Sequence, residues 1–156
     1  MTKASSASSD ALRTALRLSW SDRSLFLEAA LRLFVARIFV VALPFRILSR
    51  RLGAHMSESP REVAHDALAR RVRWAIAAVS RRAPWRCKCL EQAIAAKMML
   101  RARGAANTLY MGVARAGGGH VDAHAWLRCG DFFVTGGDGS VQYSVVATFA
   151  DEGRAR

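Results

Sequence analysis

The hydrophobic period of this chain changes once, at Gly104, and that change limits the folds open to it. Ahead of Gly104, apolar residues recur at three- and four-residue spacing; after it they alternate, the signature of strands. Val63, Ala67, Leu68, Val72, Ala75, Ile76 and Val79 form one helical stripe. It is opened by Ser59-Pro60-Arg61-Glu62, which reads as a capping box with proline at the first helical position. Pro84 breaks the chain, and a further helix is predicted over 88–103. Arg101 and Arg103 suit its negative end, and Gly104 suits the left-handed residue that closes it. Strands are predicted over 107–114, 121–129, 132–135 and 141–149. The connections are a glycine-rich loop (116–119), a two-residue hairpin turn at Gly130-Asp131, and a turn or bulge at 136–139. Helices first and an antiparallel sheet after make the class α+β.

The 156 residues suit one domain with a lead-in: a disordered polar tail over 1–20, a helical lead-in over 21–58 and the main domain over 59–150. The tail lacks the apolar core of a signal peptide. The lead-in helix is predicted to begin near Ser21-Asp22 and to stop near Pro44, with 53–57 as a linker. Glu28, Arg32 and Arg37 interrupt its apolar run and lie roughly along one side. Its longest uncharged run, 38–45, falls far short of the roughly 18–20 residues a spanning helix needs. It reads as a helix packed on the domain or on a partner protein, with peripheral membrane contact, helped by Arg46, Arg50 and Arg51, as the alternative.

The net charge is +12, and 21 of the 24 basic residues are arginine. Residues 1–83 hold 15 basic against 6 acidic side chains, residues 84–156 only 9 against 6. Such a balance admits nucleic acid, an anionic membrane face or an acidic peptide. Nucleic acid is not expected, because Arg70, Arg71, Arg73, Arg81 and Arg82 form no recognised nucleic-acid-binding fingerprint. Three cysteines without a secretory signal favour reduced thiols and a cytoplasmic home. Cys87-Lys88-Cys89 is C-x-C with no second pair at zinc spacing, so no metal or other cofactor is expected.

Two residues carry the chemistry. Cys89 falls at a helix start, where unpaired backbone N–H groups and the helix dipole favour thiolate and could hold an oxyanion. His124 sits in a strand whose alternation puts Asp122, His124, Trp126 and Arg128 on one face. A nucleophilic cysteine needs such an imidazole, and the imidazole needs an orienting group. With a two-residue turn at Gly130-Asp131, Cys129 pairs with Phe132 and Trp126 with Thr135. One bulged residue at Gly136-Gly137 would then set Asp138 opposite His124. Asp138 is thus the candidate orienter and Asp122 the alternative.

Cys89-Leu90-Glu91-Gln92-Ala93, Leu100 to Gly104, Met111-Gly112-Val113 and Ala123-His124-Ala125-Trp126 through Gly130 together resemble the lasso-peptide maturation proteases. The likeness spans roughly 60–150, and the basic, apolar lead-in is also similar. The resemblance implies a transglutaminase-like, papain-like cysteine protease fold. It also implies a peptidase that removes the leader of a ribosomally made precursor peptide, so that a separate lasso cyclase can close the ring. In that reading Cys89 is the nucleophile, His124 the general base, and the third member an Asp after the His-bearing strand, where this chain has Gly136-Gly137-Asp138. The family's leader-recognition module is absent from the roughly twenty polar residues ahead of the first helix, which implies a separate leader-recognition protein as partner. Two other classes stand beside this one: another acyl-transfer enzyme on the same fold, and a non-catalytic basic adaptor for peptide.

Overall fold

The computed structural model describes residues 19–61, 65–115 and 120–153. The tail, Glu62 of the capping box, the 116–119 loop and the last three residues lie outside them. Helix α1 spans Trp20–Ala42, two residues longer at its start than predicted, because Ser19 rather than Ser21 caps it by accepting from the Asp22 amide at 3.1 Å. Pro44 ends it, and a short α2 (Phe45–Ser49) follows. The stretch read as a linker contains a two-residue strand, β1 (Ala54–His55), that pairs with the last strand of the sheet.

Helix α3 covers Asp66–Ser80. Ser59 does not cap it. Its hydroxyl and amide are both 2.8 Å from Thr108 Oγ1, deep in the protein, so a sheet residue claims the group that the local pattern assigned to a helix. Helix α4, Cys89–Ala102, ends as predicted. The Gly104 amide donates to the Arg101 carbonyl and the Ala105 amide to the Leu100 carbonyl, with Gly104 at φ +68°, a Schellman closure.

The sheet contains β2 (Asn107–Arg115), β3 (Val121–Cys129), β4 (Phe132–Thr135) and β5 (Ser144–Asp151) in the order β1-β5-β2-β3-β4, every pair antiparallel. The α+β reading therefore holds. The start of β5 differs from expectation: a 3-10 helix, Gly137–Gln142, occupies the first residues assigned to the fourth strand.

Helix α4 is the centre of the molecule. Ala93, Ile94, Ala95, Ala96, Met99 and Leu100 are all buried, so it is apolar nearly all round, as a helix enclosed on every side must be. Leu25, Ala29, Leu33 and Ala36 of α1 and Ala69, Val72, Ala75 and Ile76 of α3 pack on it from one side. Leu109, Ala125, Leu127 and Phe149 meet it from the sheet. The lead-in helix thus contributes to the same core as the residues after it.

The buried Lys97 of α4 reaches Asp151 at 3.0 Å, Asn107 Oδ1 at 2.9 Å and the Phe149 carbonyl at 3.1 Å. Burial lowers its pKa to about 8 despite the facing carboxylate. Burial pulls Asp151 the other way, but hydrogen bonds and charge from Arg101 and Lys97 outweigh it and hold the carboxyl below its ordinary range. A depressed carboxylate stabilises the fold above its unfolded pKa and loses that contribution as pH falls. Wild type should therefore lose stability below about pH 4, and Asp151→Asn should lose less over that interval. Denaturant midpoints taken on either side of that pH check the difference.

Candidate active site

The start of α4 is clamped before the chemistry begins. Glu91, at the third helical position, is fully buried and accepts from the Lys88 amide at 3.3 Å. Arg37 of α1 holds its other oxygen at 2.7 Å. The Gln92 side-chain amide donates to the Cys87 carbonyl at 2.9 Å. Cys89 is the first residue of this anchored turn and is half-buried. The first internal bond of the turn runs from the Gln92 amide to the Lys88 carbonyl at 3.1 Å, so the amides ahead of it point out of the helix end. An oxyanion formed at Cys89 would meet those donors.

His124 stands opposite Gly112 in the β2–β3 ladder. Its ring lies 5.8 Å from that of Trp126 and 4.9 Å from that of Tyr143. A Cβ at Gly112 would fall 2.8 Å from both the Trp126 ring and Tyr143 Cβ, so this glycine makes room for the aromatic wall around the histidine. The hairpin pairs Cys129 with Phe132, as predicted, but Leu127 with Thr135, one residue out of the expected register. The extra residue enters β4 between Phe133 and Thr135, earlier than the glycine pair. The strand then ends, and Gly136 takes up a left-handed φ of +65° beside His124.

There the His124 Nε2 lies 2.8 Å from the Gly136 carbonyl oxygen. A carbonyl can only accept, so Nε2 carries the proton and the lone pair of the neutral ring is on Nδ1. The tautomer of the histidine is thus set by a main-chain group. A Cβ at Gly136 would sit 2.7 Å from the Ala125 carbonyl oxygen and 3.0 Å from His124 Nε2, so the approach requires glycine.

The two acids are placed differently. Asp122 accepts from the Tyr143 hydroxyl at 2.6 Å, and Tyr143 packs on His124. That hydrogen bond is the main cause that raises the Tyr143 phenol, and charge at Cys89 adds to it. Among the described residues no hydrogen bond joins Cys89 to His124, a common state of catalytic pairs before substrate arrives. Asp138 is 96% exposed, and Arg73 is its ion-pair partner at 4.0 Å. It is not against His124, because the 3-10 helix turns the chain away where a continued strand would have kept it alongside. Burial raises both Cys87 and Cys129, which favours the neutral thiol in each.

Three residues that shape the candidate site are not indicated by the sequence reading. Gly136 left a signal in the Gly136-Gly137 pair after a strand, and Glu91 in its place three residues into a helix. Tyr143 left none, since only the 3-10 helix brings it to His124. Among the described residues no group of three His, Cys, Asp or Glu side chains is arranged to hold a metal ion.

A half-buried cysteine at a helix start and a strand histidine of fixed tautomer are the elements of acyl transfer through a thioester. No curated protein and no solved structure matches the chain. Residues 30–148 match the transglutaminase-like superfamily, which includes cysteine proteases and transglutaminases. The match runs from the middle of α1 through most of β5, and the chain belongs to that superfamily.

Proposed function

We propose that this protein is a cysteine peptidase that removes the leader from a lasso-peptide precursor, leaving the core for a separate cyclase. The observation that carries the chemistry is the His124 Nε2 contact with the Gly136 carbonyl, which leaves Nδ1 free to accept the thiol proton. The lasso assignment rests on the sequence blocks around Cys89 and His124.

In this reading Cys89 gives its proton to His124 Nδ1 and the thiolate attacks the scissile carbonyl. The oxyanion is met by the amides at the start of α4. His124 then protonates the departing amine, and the C–N bond breaks to leave a thioester on Cys89. Water attacks the thioester with His124 taking its proton. The acid is released and the thiol restored. Gly136 orients the imidazole in the place where a side-chain acid such as Asp138 is expected, and Asp122 acts on the site through Tyr143. A separate leader-recognition protein would deliver the precursor, and the positive charge of the chain would favour an acidic leader segment.

Product masses test the reading. The protein is incubated with a lasso-type precursor and a stand-alone recognition protein, with and without a small primary amine. Separate leader and core masses that together exceed the precursor by one water, absent with Cys89→Ala, are expected. Amide formation with the added amine in place of hydrolysis would assign an acyl transferase instead. Cleavage that survives Cys89→Ala would overturn the mechanism.

A further inference from the structure

The outward face of α1 is apolar. Leu27, Leu31, Phe34, Ile38 and Val41 are all exposed, Leu27 to 73% and Val41 to 66%. At 3.6 residues per turn they fall, with the exposed Ala30 and Ala42, in a sector about 120° wide that holds no charge between Ser24 and Ala42. A soluble helix ordinarily turns its charges outward. Here they are turned to the flanks and paired with the rest of the protein: Asp22 with Arg71, Glu28 with Arg103 and Arg32, Arg37 with Glu91. The expectation that these charges share one side does not hold, since Arg37 and Glu28 lie on opposite flanks of the apolar sector.

The surface continues beyond α1. Phe45 and Ile47 of α2 are exposed, and Arg46 and Arg50 beside them make no ion pair among the described residues. At this end a cavity of about 500 Å³ opens between α1, α2 and α4. Arg50, Arg51, Lys97 and Arg101 line it over an apolar floor that includes Phe39 and Met98, and no carboxylate lines it. Asp151 pairs with both Lys97 and Arg101 from behind and offsets only one of the four positive charges, so the lining keeps a positive excess to which Arg50 and Arg51 contribute. At the other end Trp20 is exposed with the Arg23 guanidinium 5.3 Å over its ring.

We propose that this face rests on an anionic lipid bilayer, with the α1 stripe in the headgroup–acyl boundary and the α2 arginines on lipid phosphates. Three features favour that occupant. The uncharged sector is wider than the two-in-seven seam of a helix pair. The excess charge around it is positive. A second copy laid parallel would set Arg46 and Arg50 against their own counterparts. No helix among the described residues is long and apolar enough to cross a membrane, so the contact is with the surface. The proposal is independent of the chemistry at Cys89.

Co-sedimentation of the full chain with vesicles tests it, using phosphatidylcholine alone and phosphatidylcholine with phosphatidylglycerol. Wild type should partition onto the phosphatidylglycerol vesicles, release with added salt, and stay off the neutral ones. Leu27→Glu with Leu31→Glu should weaken binding by about tenfold or more, since the acids enter the boundary and meet like charge. Arg46→Glu with Arg50→Glu should weaken it and flatten its salt dependence. All four side chains are exposed, and unchanged thermal unfolding confirms that each variant is folded. Wild type remaining in the supernatant overturns the proposal, as does binding that Leu27→Glu with Leu31→Glu leaves intact. A wild-type dimer in sedimentation velocity that this variant dissociates would give the face to a second copy and also overturn it.

Discussion

His124→Ala is expected to lower precursor cleavage by about a thousandfold or more, and Gly136→Ala to come close to it, while Asp138→Ala stays within about twofold of wild type. The order follows from what each residue touches. In the proposed mechanism the imidazole carries both proton transfers. Gly136 holds it through a 2.8 Å contact from a left-handed backbone, and a methyl group there would collide with the Ala125 carbonyl and the imidazole together. Beyond the collision, φ of +65° costs an alanine about 1–2 kcal/mol. Asp138 faces solvent and Arg73. Relative rates for the three variants at saturating precursor decide the matter. A loss for Asp138→Ala as large as that for His124→Ala would mean that the carboxylate swings onto the imidazole during turnover and that the acid is the orienter. The pH profile adds a second readout. A mis-set imidazole should shift the alkaline or acid limb of kcat/KM in Gly136→Ala, whereas loss of a remote surface charge should leave both limbs in place.

Most of the fold was legible because it rests on local chemistry. Gly104 closes α4 at the residue expected, and β3 and β4 have their predicted bounds, since alternation and a Gly-Asp turn are written within a few residues. Two of the misreadings share a cause: a distant partner outbid the local one. Ser59 has every mark of a helix cap, but Thr108, 49 positions away, takes its hydroxyl and amide. The 53–57 stretch lacks strand residues, yet Ala54 pairs with Ala150 across the sheet edge. For the candidate site, residue type and position point to Cys89 and His124, and the sequence also shows the need for a one-residue bulge before Asp138. Its location was not: the bulge comes earlier, the strand stops, and a carbonyl arrives where a carboxylate was sought. Main-chain groups have no residue type, so composition and motif cannot point to them. The outward face of α1 was hidden for a related reason. Its charges are visible in the sequence, but their pairing with Arg71, Arg103 and Glu91 is not, and that pairing is what leaves the exposed sector bare.

The largest stability effect is expected at Arg37, which lies 52 positions before Cys89 and shapes the turn that bears it. Glu91 has no exposed surface, and Arg37 supplies the only cation on it at 2.7 Å among the described residues. Arg37→Ala would leave a buried carboxylate whose remaining partner among the described residues is the Lys88 amide at 3.3 Å. Removal of one partner of a buried pair costs about 3–5 kcal/mol, and the partial exposure of Arg37 places this case near 3. In a domain of this size that lowers the melting temperature by roughly 6–12 °C. Adding Glu91→Gln should recover part of the loss, because most of it is the penalty of an orphaned charge rather than the worth of the bond. Glu91→Gln alone should cost less than Arg37→Ala, since the guanidinium can turn to water. Cleavage measured well below the melting point separates a positioning role from a purely structural one. If the pair positions Cys89, Arg37→Ala lowers kcat while KM holds, and the double variant restores it in part. Full activity in folded Arg37→Ala would confine the pair to stability, and a double variant no more stable than Arg37→Ala would show that the buried charge is not the source of the loss.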